Sequence, residues 1–466
     1  MIIDDTIAAV STPPGKGGVA MIRISGRDAA AVADRVFRPR TGDGQAPLSS
    51  LTPRRAVWGD ILSVEPDGSA VVIDDGVAIY YRAPHSYTGE DTVELCCHGG
   101  VLMTQTVLES VLCAGARMAE PGEFTRRAFV SGRMGLSEAE ALASLLDAQT
   151  YGQLKLSRAG MGGRLGREVD DLYVTLRTLV SDIYARVDFP DEDLSGLTRG
   201  QLREGVAGVG ARCRALLATY RTGHAVGEGI RTVLCGAVNS GKSSLYNALL
   251  GREAAIVTDV AGTTRDVLED TVSVGGVTLR LCDTAGLRGE AAVTDAVERI
   301  GLDRTRERIA SAELVVALFD GSREGGAEDA ELSRLLEGSI SPVIKLVTKS
   351  DLPRAAGAFV PEGAICISTR TGAGLDDFAA RVRGLFIDGS LNMSEDAIVA
   401  NARQYAALRG AEESVGASLA ALDAGLPEDV ACSDLESAMS ALAEIDGRAV
   451  TVDIVNDIFA RFCVGK

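Results

Sequence analysis

The sequence predicts a multidomain α/β protein: an N-terminal α+β domain, an all-α helical domain assembled from two separated stretches, and a P-loop α/β domain inserted between them. Three observations predict this. Short strand-like runs with turn punctuation fill residues 1–119. Apolar residues at three- and four-residue intervals mark the stretches on either side of the middle. Between these, strands and helices alternate from Arg231 onward around a glycine-rich loop. The segments read as 1–119, 120–221, 222–383 and 384–466, the second and fourth forming one helical domain.

Composition sets limits first. A chain of 466 residues can hold two or three domains, each with its own core. Its 46% hydrophobic and 24% charged content is ordinary for a soluble globular protein. No apolar run reaches about 18 residues, so no membrane-spanning helix is expected. Asp4 and Asp5 stand where a signal peptide would carry basic residues, so a cytoplasmic location is expected. The net charge of −18 argues against a general nucleic-acid coat protein but leaves room for a local basic patch. Nine cysteines show no regular framework, and eight of them read as core or incidental positions. Adjacent Cys96 and Cys97 cannot comfortably share one tetrahedral ion with His98.

In the first segment, Ala20–Ile24, Val71–Ile73, Val77–Tyr81 and Val93–Leu95 read as strands, with Asp75-Gly76 as a hairpin turn between two of them. Helices are expected around 27–37 and 101–114, and the Pro-, Gly- and Ser-rich 39–53 reads as a loop. Leu136–Leu146 and Leu172–Val187 carry helical periodicity, Asp191–Asp193 reads as an acidic helix start, and 397–466 is helical and alanine-rich.

The chemistry concentrates in the inserted segment. The strand Thr232–Cys235 runs into Gly236-Ala237-Val238-Asn239-Ser240-Gly241-Lys242-Ser243-Ser244, a G-x-x-x-x-G-K-[ST] loop. Glycines there let backbone N–H groups wrap phosphates, and the following helix adds positive potential. Lys242 is placed for the β- and γ-phosphates and Ser243 for Mg²⁺. Of 47 basic residues, six are lysines and 41 arginines, and two of those six fall in nucleotide motifs. Lysine is kept where a compact point charge is needed. Downstream, Gly262-Thr263-Thr264-Arg265-Asp266 is a switch-I candidate with a threonine for Mg²⁺. Val277–Leu281 leads to Asp283-Thr284-Ala285-Gly286, with Asp283 for a water-mediated Mg²⁺ contact and Gly286 for the γ-phosphate. Val343–Val347 leads to Thr348-Lys349-Ser350-Asp351, and Ile365–Ile367 to Ser368-Thr369-Arg370. Asp351 can accept both guanine N–H groups, so the five motifs in series imply a Ras-like G domain selective for GTP. Two positions depart from the usual pattern: Thr348 replaces an asparagine, and Ser368-Thr369 replaces a Ser-Ala pair. Leu287 also stands where Ras has its water-positioning glutamine, so another device must orient the water.

Over nearly its whole length the chain resembles the bacterial tRNA-modification GTPases of the MnmE (TrmE) family. The resemblance is carried by Asp5–Ala9, Pro13–Gly18, Arg23–Gly26, Ser86–Asp91, His98–Gly100, Pro121–Thr125, Asp188–Pro190 and the terminal Phe462–Lys466. It implies an N-terminal folate-binding-like dimerisation domain and G domains that are activated by dimerising in the presence of potassium. Asn239 would ligate potassium with the switch-I stretch, residues Thr258, Val260 and Thr263, while Thr264 would serve Mg²⁺. Glu298, in Val297-Glu298-Arg299-Ile300-Gly301, would orient the attacking water, where otherwise it would read as a solvated helix glutamate. Arg23, Glu90 and Arg126 match folate contacts, with Arg23 and Glu90 pairing to hold the ligand. Cys463 matches a cysteine regarded as functionally important.

The implied activity is a homodimeric, potassium-activated GTPase working with a flavoprotein, MnmG (GidA), on the tRNA wobble uridine. A tetrahydrofolate one-carbon unit would supply the methylene for a 5-carboxymethylaminomethyl- or aminomethyl-type product. FAD is expected on the partner, because no G-x-G-x-x-G fingerprint opens a helix after a strand here. A ribosome-assembly GTPase would carry an RNA module such as a KH domain, and a membrane-remodelling GTPase an amphipathic basic helix or lipid anchor. Neither signature is present.

Overall fold

The computed structural model describes residues 5–40, 46–64, 70–188, 196–252, 270–282, 307–460 and 462–465. The chain divides into two compact units, Met1–Ala143 with Asp446–Lys466, and Ser144–Ile445. No helix among the described residues is long and apolar enough to cross a membrane.

The first unit is built on strands β1 (Ile7–Val10), β2 (Val19–Ser25), β3 (Phe37–Pro39), β4 (Ala56–Val64), β5 (Ala70–Tyr81), β6 (Thr92–His98) and β7 (Arg117–Met118). They form one sheet in the order β3-β4-β5-β6-β2-β1-β7, antiparallel except for the β1–β7 pair. Strand periodicity puts alternate residues on one face. Ile22 and Ile24 of β2 and Val93 and Leu95 of β6 therefore meet helices α1 (Ala29–Val36) and α2 (Val101–Cys113) through Val32, Val36, Val107 and Val111. Helices α3 (Glu123–Val130) and α4 (Leu136–Leu146) follow. The C-terminal segment returns to this unit. Val464 bridges Pro121, the Ser11 hydroxyl donates to Gly465 O at 2.9 Å, and the ring of Phe459 lies 6.0 Å from those of Phe129 and Phe462.

The hairpin expected at Asp75-Gly76 is corrected: Ala70–Tyr81 is a single 12-residue strand, and Asp75 and Gly76 sit mid-strand opposite Asp60 and Gly59. The glycine serves close approach rather than a turn. A Cβ on Gly76 would lie 2.1 Å from Cys96 O and 2.9 Å from Ile61 Cδ1.

In the second unit, helices α5 (Tyr151–Gly160), α6 (Arg164–Asp188) and α7 (Arg199–Gly227) precede a six-stranded sheet. Its strands are β8 (Ile230–Gly236), β9 (Asp270–Val274), β10 (Val277–Leu281), β11 (Leu314–Asp320), β12 (Val343–Thr348) and β13 (Ile365–Cys366), in the order β13-β12-β11-β8-β10-β9. Only the edge pair β9–β10 is antiparallel. All seven residues of β11 are buried, as expected for a parallel strand covered on both faces. Leu314, Val316 and Leu318 meet α8 (Lys242–Arg252) and α10 (Leu375–Phe386); Val315, Ala317 and Phe319 meet α9 (Ala327–Glu337). Helices α11 (Ala402–Asp423) and α12 (Glu428–Asp446) close the unit before α13 (Val452–Phe459). Val169 and Leu176 of α6, Val206 and Cys213 of α7, Leu408 and Val415 of α11 and Leu435 and Leu442 of α12 share one core. Helices from both sides of the P-loop segment thus pack as one body. The acidic run 191–193 lies outside the described residues.

Gly76→Ala is expected to destabilise the first unit by about 2 kcal/mol, lowering its thermal midpoint by roughly 4–8 °C. Differential scanning calorimetry checks this, and an unchanged midpoint would mean that the β5–β6 approach relaxes freely.

Candidate functional site

Strand β8 ends at Gly236, where a Cβ would come within 2.5 Å of both Leu318 O and Ser240 Oγ, so the loop can fold back only over a bare backbone. Asn239 and Gly241 take left-handed conformations (φ 61° and 95°), bending residues 237–241 into the kind of concavity that gathers backbone N–H groups. Lys242 opens α8 and folds across this loop, its Nζ donating to Gly236 O at 2.9 Å and Ala237 O at 2.8 Å. Burial holds its pKa below that of an ordinary lysine. Ser243 is half-buried and Ser244 exposed on the first turn. The Ser240 Oγ is buried with no hydrogen-bond partner among the described residues. A half-buried ammonium whose partners among the described residues are two carbonyls, an orphan hydroxyl and a helix N-terminus suit an anionic phosphate.

The second half of the site forms at the ends of β12 and β13. Thr348 is 2% exposed, and its hydroxyl donates to Ser240 O at 2.7 Å, with Phe319 O at 3.2 Å. It ties the glycine-rich loop to the β11 end. Lys349, at φ 57°, ion-pairs with Asp320 at 2.7 Å. Burial works to raise the Asp320 pKa, but Lys349 and the Ser322 donors outweigh it and hold the carboxyl below its usual range. Asp351 accepts from Ser368 Oγ at 2.7 Å and faces Arg370 at 3.8 Å. The Ser368 hydrogen bond is the main cause of its lowered pKa. Ser368 in turn accepts from Thr371 N at 3.2 Å, and Thr369 follows it half-buried. The structure thus brings Asn239, Ser240, Gly241, Lys242, Ser243 and Ser244 to the same sheet edge as Lys349, Asp351, Ser368, Thr369 and Arg370. Thr258, Val260, Thr263, Thr264, Asp283, Thr284, Ala285, Gly286 and Glu298 lie outside the described residues. Sequence reasoning missed Asp320; its one signal is a strand ending in an aspartate, Leu318-Phe319-Asp320.

In the first unit Arg23 and Glu90, expected to act together on a ligand, have different protein partners. Arg23 faces Glu94 across the β2–β6 register, donating to its Oε1 from Nε at 3.1 Å and Nη2 at 2.9 Å. Its guanidinium also lies 5.2 Å from the Tyr87 ring centre and 5.7 Å from that of Phe124. Glu90 belongs to another network, accepting from Ser25 Oγ at 2.8 Å and Arg127 Nη1 at 3.2 Å. Arg127, which sequence reasoning passed over, is fully buried. It donates to Asp5 O at 2.8 Å, Asp5 Oδ1 at 2.7 Å and Glu123 Oε1 at 2.9 Å. Its buried Nε has no partner among the described residues. Arg117 braces Glu123 from the other side at 2.7 Å. Burial works to raise the Glu123 pKa, but the two arginines and the Glu120 N–H hold it low. The available signal was the i, i+4 spacing of Glu123 and Arg127. Arg126 is half-buried on α3 and Cys463 is exposed, its carbonyl accepting from Gly122 N at 3.4 Å.

Two family models match the chain: the N-terminus of the GTP-binding protein TrmE over residues 6–133, and the MnmE helical domain over residues 136–463. The tRNA modification GTPase MnmE of Symbiobacterium thermophilum is 41% identical over 468 residues, covering 99% of this chain and 100% of its own. Its counterpart from Moorella thermoacetica is 39% identical, with 100% of both chains covered. That of Chloroflexus aurantiacus is 41% identical at the same coverage. A crystal structure of Aquifex aeolicus Era bound to GDP and AlF₄⁻ covers 40% of this chain and 66% of its own at 22% identity. Its TM-score of 0.26 is too low to carry weight.

Thr348→Val removes the one proton that binds the glycine-rich loop to the β12 end. It is expected to weaken GDP and GTP binding by about tenfold, from roughly 1–2 kcal/mol of lost hydrogen bonding. Thr348→Asn should retain affinity. Titration with a fluorescent guanine nucleotide checks both, and an unchanged Kd in the valine variant would show that the tie is dispensable.

Proposed function

The chain belongs to the MnmE family of tRNA-modification GTPases, and from that premise we propose a homodimeric, potassium-activated enzyme that acts with an MnmG-type flavoprotein on the tRNA wobble uridine. Hydrolysis of GTP in tRNA modification is the family's activity and this chain's. The finer reading is a cytoplasmic protein that takes a tetrahydrofolate one-carbon unit toward a 5-carboxymethylaminomethyl- or aminomethyl-type product. The FAD resides on the partner. The observation that carries the reading is the convergence of the Lys242 cradle and the Asp351–Ser368 pair at one sheet edge, joined by Thr348.

Within that site, Lys242 holds the β- and γ-phosphates, and Ser243 with Thr264 holds Mg²⁺, which neutralises charge on the phosphate oxygens. Ser240, Gly241 and Ser244 line the phosphates. Asp283, Thr284, Ala285 and Gly286 follow the γ-phosphate. Lys349, Asp351, Ser368, Thr369 and Arg370 surround guanine. The ion pair and hydrogen bond that keep Asp351 ionised suit it to accept two N–H groups. Asn239, Thr258, Val260 and Thr263 hold potassium, whose charge stabilises the transition state as an arginine finger would. Glu298 positions the attacking water. The domains assigned are 1–119 for folate and dimerisation, 120–221 with 384–466 for the helical body, and 222–383 for the G domain.

Folate binding is assigned to Arg23, Glu90 and Arg126, and Cys463 is a separate candidate functional residue. A cation beside the Tyr87 and Phe124 rings and paired to Glu94 supports this, because a carboxylate or flat heterocycle can use charge-assisted donors.

Two measurements test the proposal. GTP turnover is expected to rise strongly in KCl over NaCl at equal ionic strength, and Glu298→Ala should lose about 100-fold or more of the potassium-stimulated rate. Equal rates in the two salts would overturn potassium activation. Calorimetric titration with a tetrahydrofolate should give about tenfold weaker binding for Arg23→Met, from the loss of a charged hydrogen bond. Unchanged binding would remove Arg23 from the folate site.

A further inference from the structure

Helix α5 has two unlike sides. Leu156 and Ser157 are buried, and Gln153 Nε2 donates to Gly227 O at 2.9 Å, fastening the helix to the end of α7. Thr150 caps α5, and its Oγ1 lies 3.2 Å from Thr278 Oγ1 on β10, which donates onward to Val226 O at 2.8 Å. The opposite side carries Tyr151, Leu154, Lys155 and Arg158, at the i, i+3, i+4 and i+7 spacing that shares one helix face. These residues, with Leu145 and Arg164, line an open groove of about 650 Å³.

The groove's charge is opposite to that of the molecule. Its nine lining residues include three cations and no carboxylate, in a chain whose net charge is −18. Elsewhere arginines are commonly bound to acidic partners, as in Arg186–Glu428, Arg203–Asp423 and Arg214–Glu412. Lys155 and Arg158 are exposed and have neither an ion pair nor a hydrogen bond among the described residues. Among the described residues Arg164 donates to the backbone carbonyl of Ser394. Tyr151 stands 80% exposed at the head of the helix, and Leu154 is 45% exposed.

We propose that this groove is an RNA contact surface, and that it receives tRNA. The cations suit phosphates, and an aromatic ring exposed beside them suits an unstacked base, the combination by which single-stranded RNA is held. The proposal rests on the tRNA-modifying role given above. It adds a site on the helical body, away from the nucleotide-binding loops. The other side of α5 is tied to β10 through Thr150 and Thr278.

The test is fluorescence anisotropy of a labelled, unmodified tRNA transcript with a wobble uridine, titrated with full-length protein between about 50 and 200 mM salt. Lys155→Glu/Arg158→Glu is expected to weaken binding about tenfold or more and to lower the log–log salt slope by about two. Tyr151→Ala should weaken it by about tenfold with the slope unchanged. Unchanged thermal midpoint and basal GTP turnover establish that the variants are folded, and Lys155→Gln/Arg158→Gln serves if the charge reversal is not. Equal affinity and slope in wild type and variants would overturn the groove while leaving the tRNA-modifying role intact. No binding by the wild type would overturn both the groove and direct tRNA recognition by this chain. Retained tRNA binding with lost co-elution of the flavoprotein would overturn it in favour of a protein-docking face.

Discussion

The parallel register of three strands governs where chemistry can occur in the second unit. Gly236 at the end of β8 pairs with Leu318, and Thr348 at the end of β12 pairs with Asp320, so three chains leave the sheet at nearly one level. Parallel strands present all their carboxyl ends along one edge, where ligands of α/β sheets are bound. Here that alignment sets the phosphate-type loop against the end of β12 closely enough for one hydroxyl, that of Thr348, to bridge them. The Lys349–Asp320 ion pair and the Ser368–Asp351 hydrogen bond are then short-range consequences. Each joins a residue at the end of one strand to a residue at the end of its neighbour.

The sheet is attached to the helical body through the C-terminal end of α7. A Cβ on Gly223 would lie 2.1 Å from Val399 O, so the glycine allows the segment before α11 to cross the helix at backbone contact. Thr219 Oγ1 accepts from Val399 N at 3.0 Å, and Thr222 Oγ1 from Asp388 N at 2.9 Å, so the crossing is hydrogen-bonded as well as close. Next to Gly223, His224 lies 2.9 Å from both Glu228 and Glu313, and those carboxylates raise its pKa. Glu313 immediately precedes β11, so the same imidazole touches the helix and the central strand. The joint between helical body and sheet is thus polar and specific, while the bulk of each is apolar.

What could be read from sequence follows from how locally each feature is encoded. The loop 236–244 and the segments at 348–351 and 368–370 are contiguous, and their chemistry depends on neighbours a few residues away. Helices α1, α2 and α4 were legible because periodicity is also local. Asp75-Gly76 misled because a glycine demanded by a neighbouring strand's carbonyl looks the same in sequence as one demanded by a turn. The partner of Arg23 is fixed by the β2–β6 register, which places Glu94 rather than Glu90 opposite it. Arg127 is defined by three carboxylates from residues 5, 90 and 123, and only the last is within helical reach. Thr348 looked like a weakness beside the usual asparagine. Only the positions of Ser240 O and Phe319 O show that a shorter side chain still reaches both.

An acidic chain that handles RNA needs its attraction to be local. Across bulk solvent, the net −18 repels nucleic acid, but at physiological ionic strength such repulsion fades over about 8 Å. The groove itself is lined by three cations and no carboxylate, so attraction there is local. Paired arginines elsewhere contribute little net field, since each is cancelled at 3 Å or so by its partner. The combination disfavours non-specific coating of RNA and confines binding to one face of one helix. The helix that carries it is fastened through Thr150 to Thr278 of β10 and through Gln153 to Gly227 at the end of α7. Restricting attraction to one place is what makes a small basic patch on a strongly acidic protein consequential.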